Sequence, residues 1–284
     1  MARLTVRDIL AMKGRRRIVM VTAYDYPFAR IVDEAGVDMV LVGDSAAMVV
    51  HGLPNTNLAT MSMMLYHVAA VSRGVKRAMV VGDMPFGSYE ASRSEAVRNA
   101  VRMVRAGADA VKLEGGVEVA DRVEAIVKAG IPVVGHIGLT PQKRLVLGGY
   151  RRRGRTVREA EELLEDAKAL EEAGAFAIVI EFTAEEVAAE ITRRLRIPTI
   201  CIGSGRFCDG QVLVLHDILG LSDFTPPFAK RYADVRRVAL EAVKRFAEEV
   251  RSGVFPSEEH VFHMKEEWKR RHDEHSHSPA EEEH

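Results

Sequence analysis

The sequence is poor in cysteine, and it has no long apolar run. Its two cysteines, Cys201 and Cys208, are too few for a disulfide framework, and their spacing matches no zinc-binding pattern. A membrane-spanning helix needs roughly 20 apolar residues, and no run in the chain approaches that length. Residues 1–17 have no apolar segment of the secretory kind. We therefore expect a cytoplasmic protein that has no membrane partner.

The side-chain amides are also scarce. Asparagine and glutamine together occur five times, whereas 29% of the residues are charged. This balance is typical of heat-adapted proteins, although a GC-rich coding bias would give the same composition. The formal net charge is −1, so there is no excess positive charge to attract nucleic acid. For the basic cluster Arg151–Arg155, a solvated loop or a subunit contact is therefore favoured over a nucleic-acid site.

A repeated pattern runs along the chain, in which a helix-like stretch ends in Ala-Gly and a short apolar run follows. Glycine just after a helix permits the left-handed conformation that reverses the chain. Apolar runs that do not alternate with polar residues are typical of parallel strands buried on both faces. Eight such runs are predicted to be strands, at 18–21, 39–42, 78–81, 110–113, 132–134, 177–180, 199–202 and 212–215.

Helices are predicted between most of these strands, because apolar residues recur at three- and four-residue spacing. The helical stretches are 93–105, 117–129, 156–173, 184–195 and 234–251. Eight strand–helix units predict an α/β fold, the (β/α)8 or TIM barrel, as a single domain over 1–264. A doubly wound open sheet is the alternative, although the chain has neither of the glycine-rich phosphate-binding turns typical of that fold. Residues 265–284 are densely charged, and we expect a disordered tail there.

Ionisable residues follow five consecutive predicted strands. They are Asp44 with its neighbour Ser45, then Asp83, Lys112 and Glu114, His136, and Glu181. The carboxyl ends of the strands of a (β/α)8 barrel form one rim, where catalytic groups lie, so these side chains are expected to meet. Taken singly, Asp44 or Asp83 has a simpler interpretation, as the cap of the following helix.

These residue types predict a metal site. Several carboxylates on one rim repel each other unless positive charge lies among them, and Lys112 supplies only one charge. Since the candidate ligands are oxygen donors, we expect Mg²⁺ rather than zinc. Imidazole suits Mg²⁺ less well, so His136 is expected to hydrogen-bond to substrate. The open positions of the ion suit a 2-oxo acid, and Ser45 offers its hydroxyl to the carboxylate of that acid.

Glu181 is the candidate general base. It follows an apolar run and precedes Phe182, and a carboxylate in an apolar setting has a raised proton affinity. Its alternative role, capping helix 184–195, is disfavoured because Thr183 is the better cap. Together these residues predict proton abstraction next to a carbonyl group, with a metal ion stabilising the enolate.

Eight motifs, in order along nearly the whole chain, resemble those of the 3-methyl-2-oxobutanoate hydroxymethyltransferase (ketopantoate hydroxymethyltransferase) family. They are VTAYD 21–25, VGDS 42–45, GDMPFGSY 82–89, VKLEGG 111–116, GHIGLTPQ 135–142, IPTICIGSG 197–205, CDGQVLV 208–214 and FAKRY 228–232. The resemblance implies a phosphoenolpyruvate/pyruvate-like TIM barrel and a homo-oligomer, often a decamer. It also implies transfer of a one-carbon unit from 5,10-methylenetetrahydrofolate to 3-methyl-2-oxobutanoate. The product is 2-dehydropantoate, on the route to pantothenate and coenzyme A.

The resemblance also implies residue roles. Asp44 and Asp83 correspond to Mg²⁺ ligands, with Glu114 in the metal's shell, and Glu181 corresponds to the proton acceptor. Contacts with the oxo acid are expected from Asp44, Ser45, Asp83, Lys112 and His136.

Some stretches depart from the family pattern: Ala46-Ala47, residues 51–61, Arg152-Arg153 and Ser204. They lie near the donor and loop regions rather than the metal, so methylenetetrahydrofolate and a modified pterin both stay open as the donor. One rival hypothesis is an isocitrate lyase or phosphoenolpyruvate mutase type of enzyme, but such enzymes carry a different, cysteine-bearing loop that is not seen in this sequence. Another is a barrel that only binds a 2-oxo acid, which the retention of all five charged candidates disfavours.

Overall fold

The computed structural model describes residues 3–222 and 224–264. Its eight strands form a closed barrel in sequence order, with β8 returning to pair with β1. Every neighbouring pair of strands is parallel. The predicted TIM barrel is therefore confirmed, and the doubly wound open sheet is excluded.

Each strand overlaps one of the eight predicted runs. The strands are β1 (Ile18–Thr22), β2 (Met39–Val42), β3 (Met79–Asp83), β4 (Ala110–Glu114), β5 (Val133–Gly138), β6 (Ala177–Glu181), β7 (Thr199–Ile202) and β8 (Gly210–Leu213). Strands β3 to β6 run further than predicted and include the charged residues at their ends. This happens because a backbone ladder continues whether or not the next side chain is apolar.

The helices surround the barrel or follow it. They are α1 (Val6–Leu10), α2 (Tyr26–Glu34), α3 (Ala46–Val49), α4 (Met61–Gly74), α5 (Arg93–Ala106), α6 (Ala120–Lys128), α7 (Arg144–Leu147), α8 (Val157–Glu172), α9 (Glu185–Arg194), α10 (Leu215–Leu219) and α11 (Val235–Ser252). The predicted helix 117–129 is a 3₁₀ turn, Val117–Val119, followed by α6. Polar side chains cap several of these helices, as Ser92 caps α5 by accepting the Glu95 N–H.

The prediction that Thr183 caps α9 is wrong. The residue before this helix is Ala184, and its side chain makes no capping hydrogen bond. The Thr183 hydroxyl donates instead to the Glu181 carbonyl at 3.0 Å, and the Thr183 N–H donates to the Ser204 hydroxyl at 3.0 Å. Phe182, at φ +45°, turns the chain between β6 and this contact. The Thr183 hydroxyl is therefore engaged by the turn after β6, and its N–H by a tertiary contact, rather than by the helix.

Alternate residues of the strands face two different layers. Met39 and Leu41 of β2 belong to the buried cluster inside the barrel, whereas Val40 and Val42 belong to the cluster between strands and helices. The inner cluster also includes Met79 and Val81 of β3, four and two positions before Asp83. Because side chains of a strand alternate with a period of two, the charged residues at the ends of β3 to β6 continue the inner face.

By its internal contacts the chain divides into two compact units, Met1–Ala233, which contains the whole barrel, and Asp234–His284. The single domain over 1–264 stays a prediction. The predicted tail, 265–284, lies outside the described residues. None of the helices in the described ranges has the length and apolar composition needed to cross a membrane.

Cys201 of β7 and Cys208, just before β8, are joined by a disulfide bond, and both residues are fully buried. The bond closes the segment between the last two strands of the barrel. The sequence did not predict this pairing, because seven residues of separation in a chain with only two cysteines favours no particular state.

Candidate active site

Strand register brings the charged residues together. Asp83 of β3 pairs with Lys112 of β4, and Glu114 of β4 pairs with His136 of β5. Gly138 of β5 pairs with Glu181 of β6, two positions beyond His136. Because these residues occupy the inner face at the carboxyl ends of adjacent strands, their side chains converge above the apolar core of the barrel.

Direct contacts link the side chains of these four strands. Lys112 Nζ lies 2.8 Å from Asp83 Oδ1 and 3.2 Å from His136 Nδ1. The same Nδ1 lies 3.3 Å from Glu114 Oε1, and His136 Nε2 lies 3.2 Å from Glu181 Oε2. Four of these side chains are at most 4% exposed, whereas Glu181 is 18% exposed. Glu181 is therefore the member of this group that is most open to an incoming molecule.

Asp44 joins the same group from the turn after β2. Its backbone N–H donates to Asp83 Oδ2 at 3.1 Å, and its own Oδ2 accepts a hydrogen bond from Gln142 Nε2 at 2.9 Å. The residue before α3 is Ser45, and it makes no capping hydrogen bond. Neither Asp44 nor Asp83 therefore acts as the helix cap that was their alternative interpretation.

Gln142 is a site residue that the sequence did not predict. It is buried at 2% exposure, and its N–H donates to Glu114 Oε2 at 3.0 Å while its Nε2 donates to Asp44. Its Oε1 accepts a hydrogen bond from the buried Tyr89 hydroxyl at 2.7 Å. The available signals were its rarity, as one of two glutamines in the chain, and its place at the end of the motif GHIGLTPQ.

Ser45 stands slightly apart from the charged group. Its hydroxyl lies 2.8 Å from the hydroxyl of the buried Tyr24, and either oxygen can donate. Ser45 itself is half-buried. The structure therefore places Ser45 beside Asp44 and holds its hydroxyl, and among the described residues this hydroxyl makes no hydrogen bond to the other predicted site residues.

The carboxyl groups of Asp44 and Asp83 are electrostatically unfavourable as anions. Burial, followed by the charges of Asp83 and Glu114, raises the pKa of Asp44 well above its ordinary value. Burial also raises the pKa of Asp83, although Lys112 opposes the shift. Burial is the largest cause of both shifts and Glu114 adds to each, so an added cation would favour the ionised carboxylates at this point of the rim.

The basic groups respond to the same surplus of carboxylates. Burial acts to lower the pKa of Lys112, but Asp83, Glu114 and Asp44 outweigh it and raise that pKa above its ordinary value. Burial and Lys112 act to lower the pKa of His136, but the two carboxylates beside it raise it to about 9. For Glu114, burial is outweighed by His136 and Lys112, which hold its pKa below the ordinary value. The carboxylates around both basic groups therefore favour their protonated forms.

The donor set fits a hard divalent ion held by few protein ligands. Among the described residues, no three or more His, Cys, Asp or Glu side chains are grouped as a metal cage. Asp83 Oδ1 is buried without a well-aligned hydrogen bond, although Lys112 lies beside it. Mg²⁺ commonly takes one or two carboxylates and keeps several waters or substrate atoms. Asp44 and Asp83 match that requirement, whereas both oxygens of Glu114 already contact His136 and Gln142.

A family model described as ketopantoate hydroxymethyltransferase matches residues 3–258. A protein of Ignicoccus hospitalis named 3-methyl-2-oxobutanoate hydroxymethyltransferase is 69% identical over 259 residues, which cover 91% of this chain and 98% of that protein. A protein of the same name from Staphylothermus marinus is 64% identical over 265 residues, covering 93% of this chain and 98% of the relative.

Solved structures with the same fold are more distant in sequence. Phosphonopyruvate hydrolase in complex with oxalate and Mg²⁺ superposes with a TM-score of 0.60 at 16% identity, covering 96% of this chain and 97% of the other. A 2,3-dimethylmalate lyase, described as a member of the PEP mutase/isocitrate lyase superfamily, superposes with a TM-score of 0.57 at 16% identity, covering 96% and 99%. These likenesses show the fold, while the family model and the relatives establish that the chain is an enzyme of the ketopantoate hydroxymethyltransferase family.

Proposed function

We propose that the enzyme transfers a hydroxymethyl group to 3-methyl-2-oxobutanoate, giving 2-dehydropantoate in pantothenate and coenzyme A biosynthesis. The donor is 5,10-methylenetetrahydrofolate or a related modified pterin. The observation that carries the proposal is the buried group in which Asp44 and Asp83 are linked through Lys112 and His136 to the more open Glu181. It is supported by the name shared by relatives that are 54% to 69% identical.

Asp44 and Asp83 would hold Mg²⁺, and Glu114 would act on the ion through a water molecule. When bound, the ion supplies a positive charge that stabilises the enolate oxygen of the oxo acid. The adjacent ammonium group of Lys112 would bind the same anionic substrate, because its raised pKa keeps it protonated. Ser45, held by Tyr24, would hydrogen-bond to the substrate carboxylate.

Glu181 would take the proton from C3 of the oxo acid. Its exposure of 18% leaves room for substrate, and His136 Nε2 lies beside its carboxylate at 3.2 Å. The C3 carbon then forms a bond to the methylene carbon of the donor, water supplies the hydroxyl group, and the carbon–nitrogen bonds to the pterin break. The proton from C3 and the remaining proton of that water end on the two pterin nitrogens, so the reaction balances.

Exchange of the C3 hydrogen for deuterium tests this assignment, because it requires the metal, the oxo acid and the base but no donor. In Glu181→Gln we expect exchange to fall by at least about 100-fold, the ordinary contribution of a general base, while oxo-acid binding is retained. Glu186→Gln, on the exposed part of α9, is the matched control. Unchanged exchange in Glu181→Gln would contradict the base assignment, and a barrel that only binds the oxo acid would show no exchange in the wild type.

A further inference from the structure

The loop between α7 and α8 carries four arginines, at positions 151, 152, 153 and 155, that the proposed chemistry does not use. This loop is attached to the rim beside the candidate base. The Arg153 N–H donates to the Phe182 carbonyl at 2.9 Å, and the Ala184 N–H donates to the Arg153 carbonyl at 3.0 Å. The arginine loop is therefore tied directly to the segment that follows Glu181.

A cavity of about 290 Å³ opens among these arginines. It is lined by Arg151, Arg152, Arg153, Arg155, Thr156 and Glu159, together with one leucine. We call it the arginine cavity. Four guanidinium groups against a single lining carboxylate leave a surplus of positive charge, and guanidinium groups match the geometry of carboxylates and phosphates. The cavity therefore fits the anionic part of a ligand.

Most of this positive charge is uncompensated within the described residues. Arg153 lies 4.0 Å from Glu162, while none of the other three arginines has a described carboxylate within 4.0 Å. The Arg153 Nε is buried and has no hydrogen-bond partner in the described structure. Glu159 is already engaged, since its Oε2 accepts the Arg155 N–H at 2.7 Å. The cavity thus has donors available for a bound anion.

A second cavity, of about 270 Å³, adjoins the first and shares Arg152 with it. Its walls include the rings of Phe182 and Phe228, whose centroids are 5.5 Å apart. The Arg152 guanidinium lies 5.4 Å from the centre of the Phe182 ring. Both phenylalanines are only half-buried. We call this the aromatic cavity, and its partly open rings suit a flat heteroaromatic group.

The backbone around the aromatic cavity is unusual in two places. Phe182 has φ +45°, a region that bulky residues rarely occupy and that occurs most often at functional sites. At Gly203, also in the left-handed region, an added Cβ would lie 2.8 Å from the Phe228 ring. The absence of a side chain at Gly203 therefore leaves room for the Phe228 ring, and the other ring belongs to Phe182, immediately after Glu181 in the chain.

We propose that the two cavities together bind the one-carbon donor, with its pterin ring in the aromatic cavity and a polyanionic tail in the arginine cavity. Arg152 contacts both parts. The inference rests on the proposed function, because it places the donor beside Glu181, where the new carbon–carbon bond forms. The tail is recognised as a row of carboxylates or as a phosphodiester, which share the same guanidinium chemistry.

Equilibrium binding of tetrahydropteroyl monoglutamate and triglutamate, in the presence of Mg²⁺ and oxo acid, measures the tail contribution. We expect the wild type to bind the triglutamate at least about tenfold more tightly, since one charge-assisted hydrogen bond corresponds to roughly that factor. In Arg151→Ser/Arg155→Ser the ratio should fall to below about twofold. The control Arg98→Ser/Arg105→Ser removes the same charge from exposed positions of α5 and should keep the wild-type ratio.

Phe228→Leu tests the ring contact separately. It should weaken the binding of both ligands by the same factor, about fivefold or more, because both lose the same stacking on an aromatic ring, and it should leave the tail ratio unchanged. A Phe228→Leu variant that binds both ligands as tightly as the wild type would overturn the ring placement.

A third ligand, a tetrahydropterin whose tail carries a phosphodiester, distinguishes the two sources of anion. Arginine-dependent binding of this ligand but not of the triglutamate would identify a phosphodiester tail and support the proposal. Equal affinity for all tails, or a tail preference that survives Arg151→Ser/Arg155→Ser, would overturn it.

Deuterium exchange at C3 in the wild type, measured without donor, distinguishes failure of the donor site from failure of the proposed function. Absence of exchange would refute the proposed function. Exchange without any tail preference would refute only the donor site.

Discussion

At the scale of single residues, the site depends on how buried charges are balanced. Asp44 and Asp83 lie next to each other in the barrel interior, and the pKa of each carboxyl is raised by burial. Lys112 compensates Asp83 directly, at 2.8 Å, whereas Asp44 accepts a hydrogen bond from the neutral amide of Gln142 and has no ion pair among the described residues. Asp44 is therefore the less well compensated of the two and depends more on an added cation.

This imbalance predicts opposite effects of Asp44→Asn with and without metal. Without Mg²⁺ the variant loses a repulsion, and we expect its Tm to rise by about 2–4 °C, the shift that corresponds to 1 kcal/mol in a domain of roughly this size. The wild type should gain about 2.7 kcal/mol of stability at a Mg²⁺ concentration 100 times its Kd, and the variant should gain much less.

Calorimetric melting with and without Mg²⁺ measures both effects. Asp121→Asn, which alters an ion pair of α6 with Arg93, is a control that should keep the full response to Mg²⁺. Equal stabilisation of the wild type and Asp44→Asn by Mg²⁺ would show that Asp44 is not a ligand.

The charged candidates could be predicted from sequence because each follows an apolar run, so a local pattern marks its place on the rim. Gln142 and Tyr89 could not be predicted in this way. They lie outside the strands, and their importance arises from linking Asp44 to Glu114 across three-dimensional space. A neutral side chain that connects charged residues of different strands has no local signature in the sequence.

At the scale of elements, the junction of β5 and β6 positions the candidate base. Gly138 ends β5 and pairs with Glu181, the last residue of β6. Gly138 has φ +93°, and a Cβ added there would lie 2.3 Å from the Glu181 carbonyl oxygen. The absence of a side chain at Gly138 therefore allows the two strands to approach each other at the position of the base.

Gly138→Ala should accordingly impair both stability and exchange. We expect the free energy of unfolding to fall by about 2–4 kcal/mol, because alanine would be in the left-handed region and its Cβ would clash with the β6 backbone. We also expect slower deuterium exchange at C3, because Glu181 would be displaced. Chemical denaturation and the exchange rate measure the two effects.

Gly36→Ala is the matched control, since Gly36 has φ +83° with no atom within 4 Å of the added Cβ. It should show only the conformational cost, about 1–2 kcal/mol, and normal exchange. If Gly138→Ala lost no more stability and no more exchange activity than Gly36→Ala, the close approach of β5 and β6 would not be what positions Glu181.

The sequence located every strand but not the full extent of β3 to β6, because the prediction stopped where apolar residues stopped. The cap of α9 failed for a different reason. Thr183 has the preferred residue type, but its hydroxyl donates to the Glu181 carbonyl two residues earlier, while its N–H donates to the hydroxyl of the distant Ser204. The contact with Ser204 depends on the fold and cannot be read from local sequence.

At the scale of the whole molecule, the closed barrel was predictable from the repeat of strand and helix, whereas the homo-oligomer was expected from the family resemblance alone. Helix α11, in the second unit, has no buried residue. Its exposed apolar side chains include Val243 at 65% and Phe246 at 55%. Apolar surface of this kind commonly marks a contact with another protein.

We therefore keep the prediction of a homo-oligomer and expect light scattering to give a mass that is a multiple of 31.4 kDa. Val243→Glu/Phe246→Glu should reduce that mass, because a buried contact would then contain unpaired charges. Glu241→Gln, on the same helix, is the control that should leave it unchanged. A monomeric wild type would refute the prediction.

The alternation of side chains along β4 has a consequence for how this barrel can change over time. Lys112 and Glu114 face the interior, while Leu113 between them packs among the helices. Deletion of one residue early in this strand would turn each following side chain to the opposite face. Leu113 would then face the site, and Lys112 would lie in the apolar layer between strands and helices. Insertions and deletions should therefore be confined to the connecting loops, which makes the lengths of β3 to β6 harder to alter than their composition.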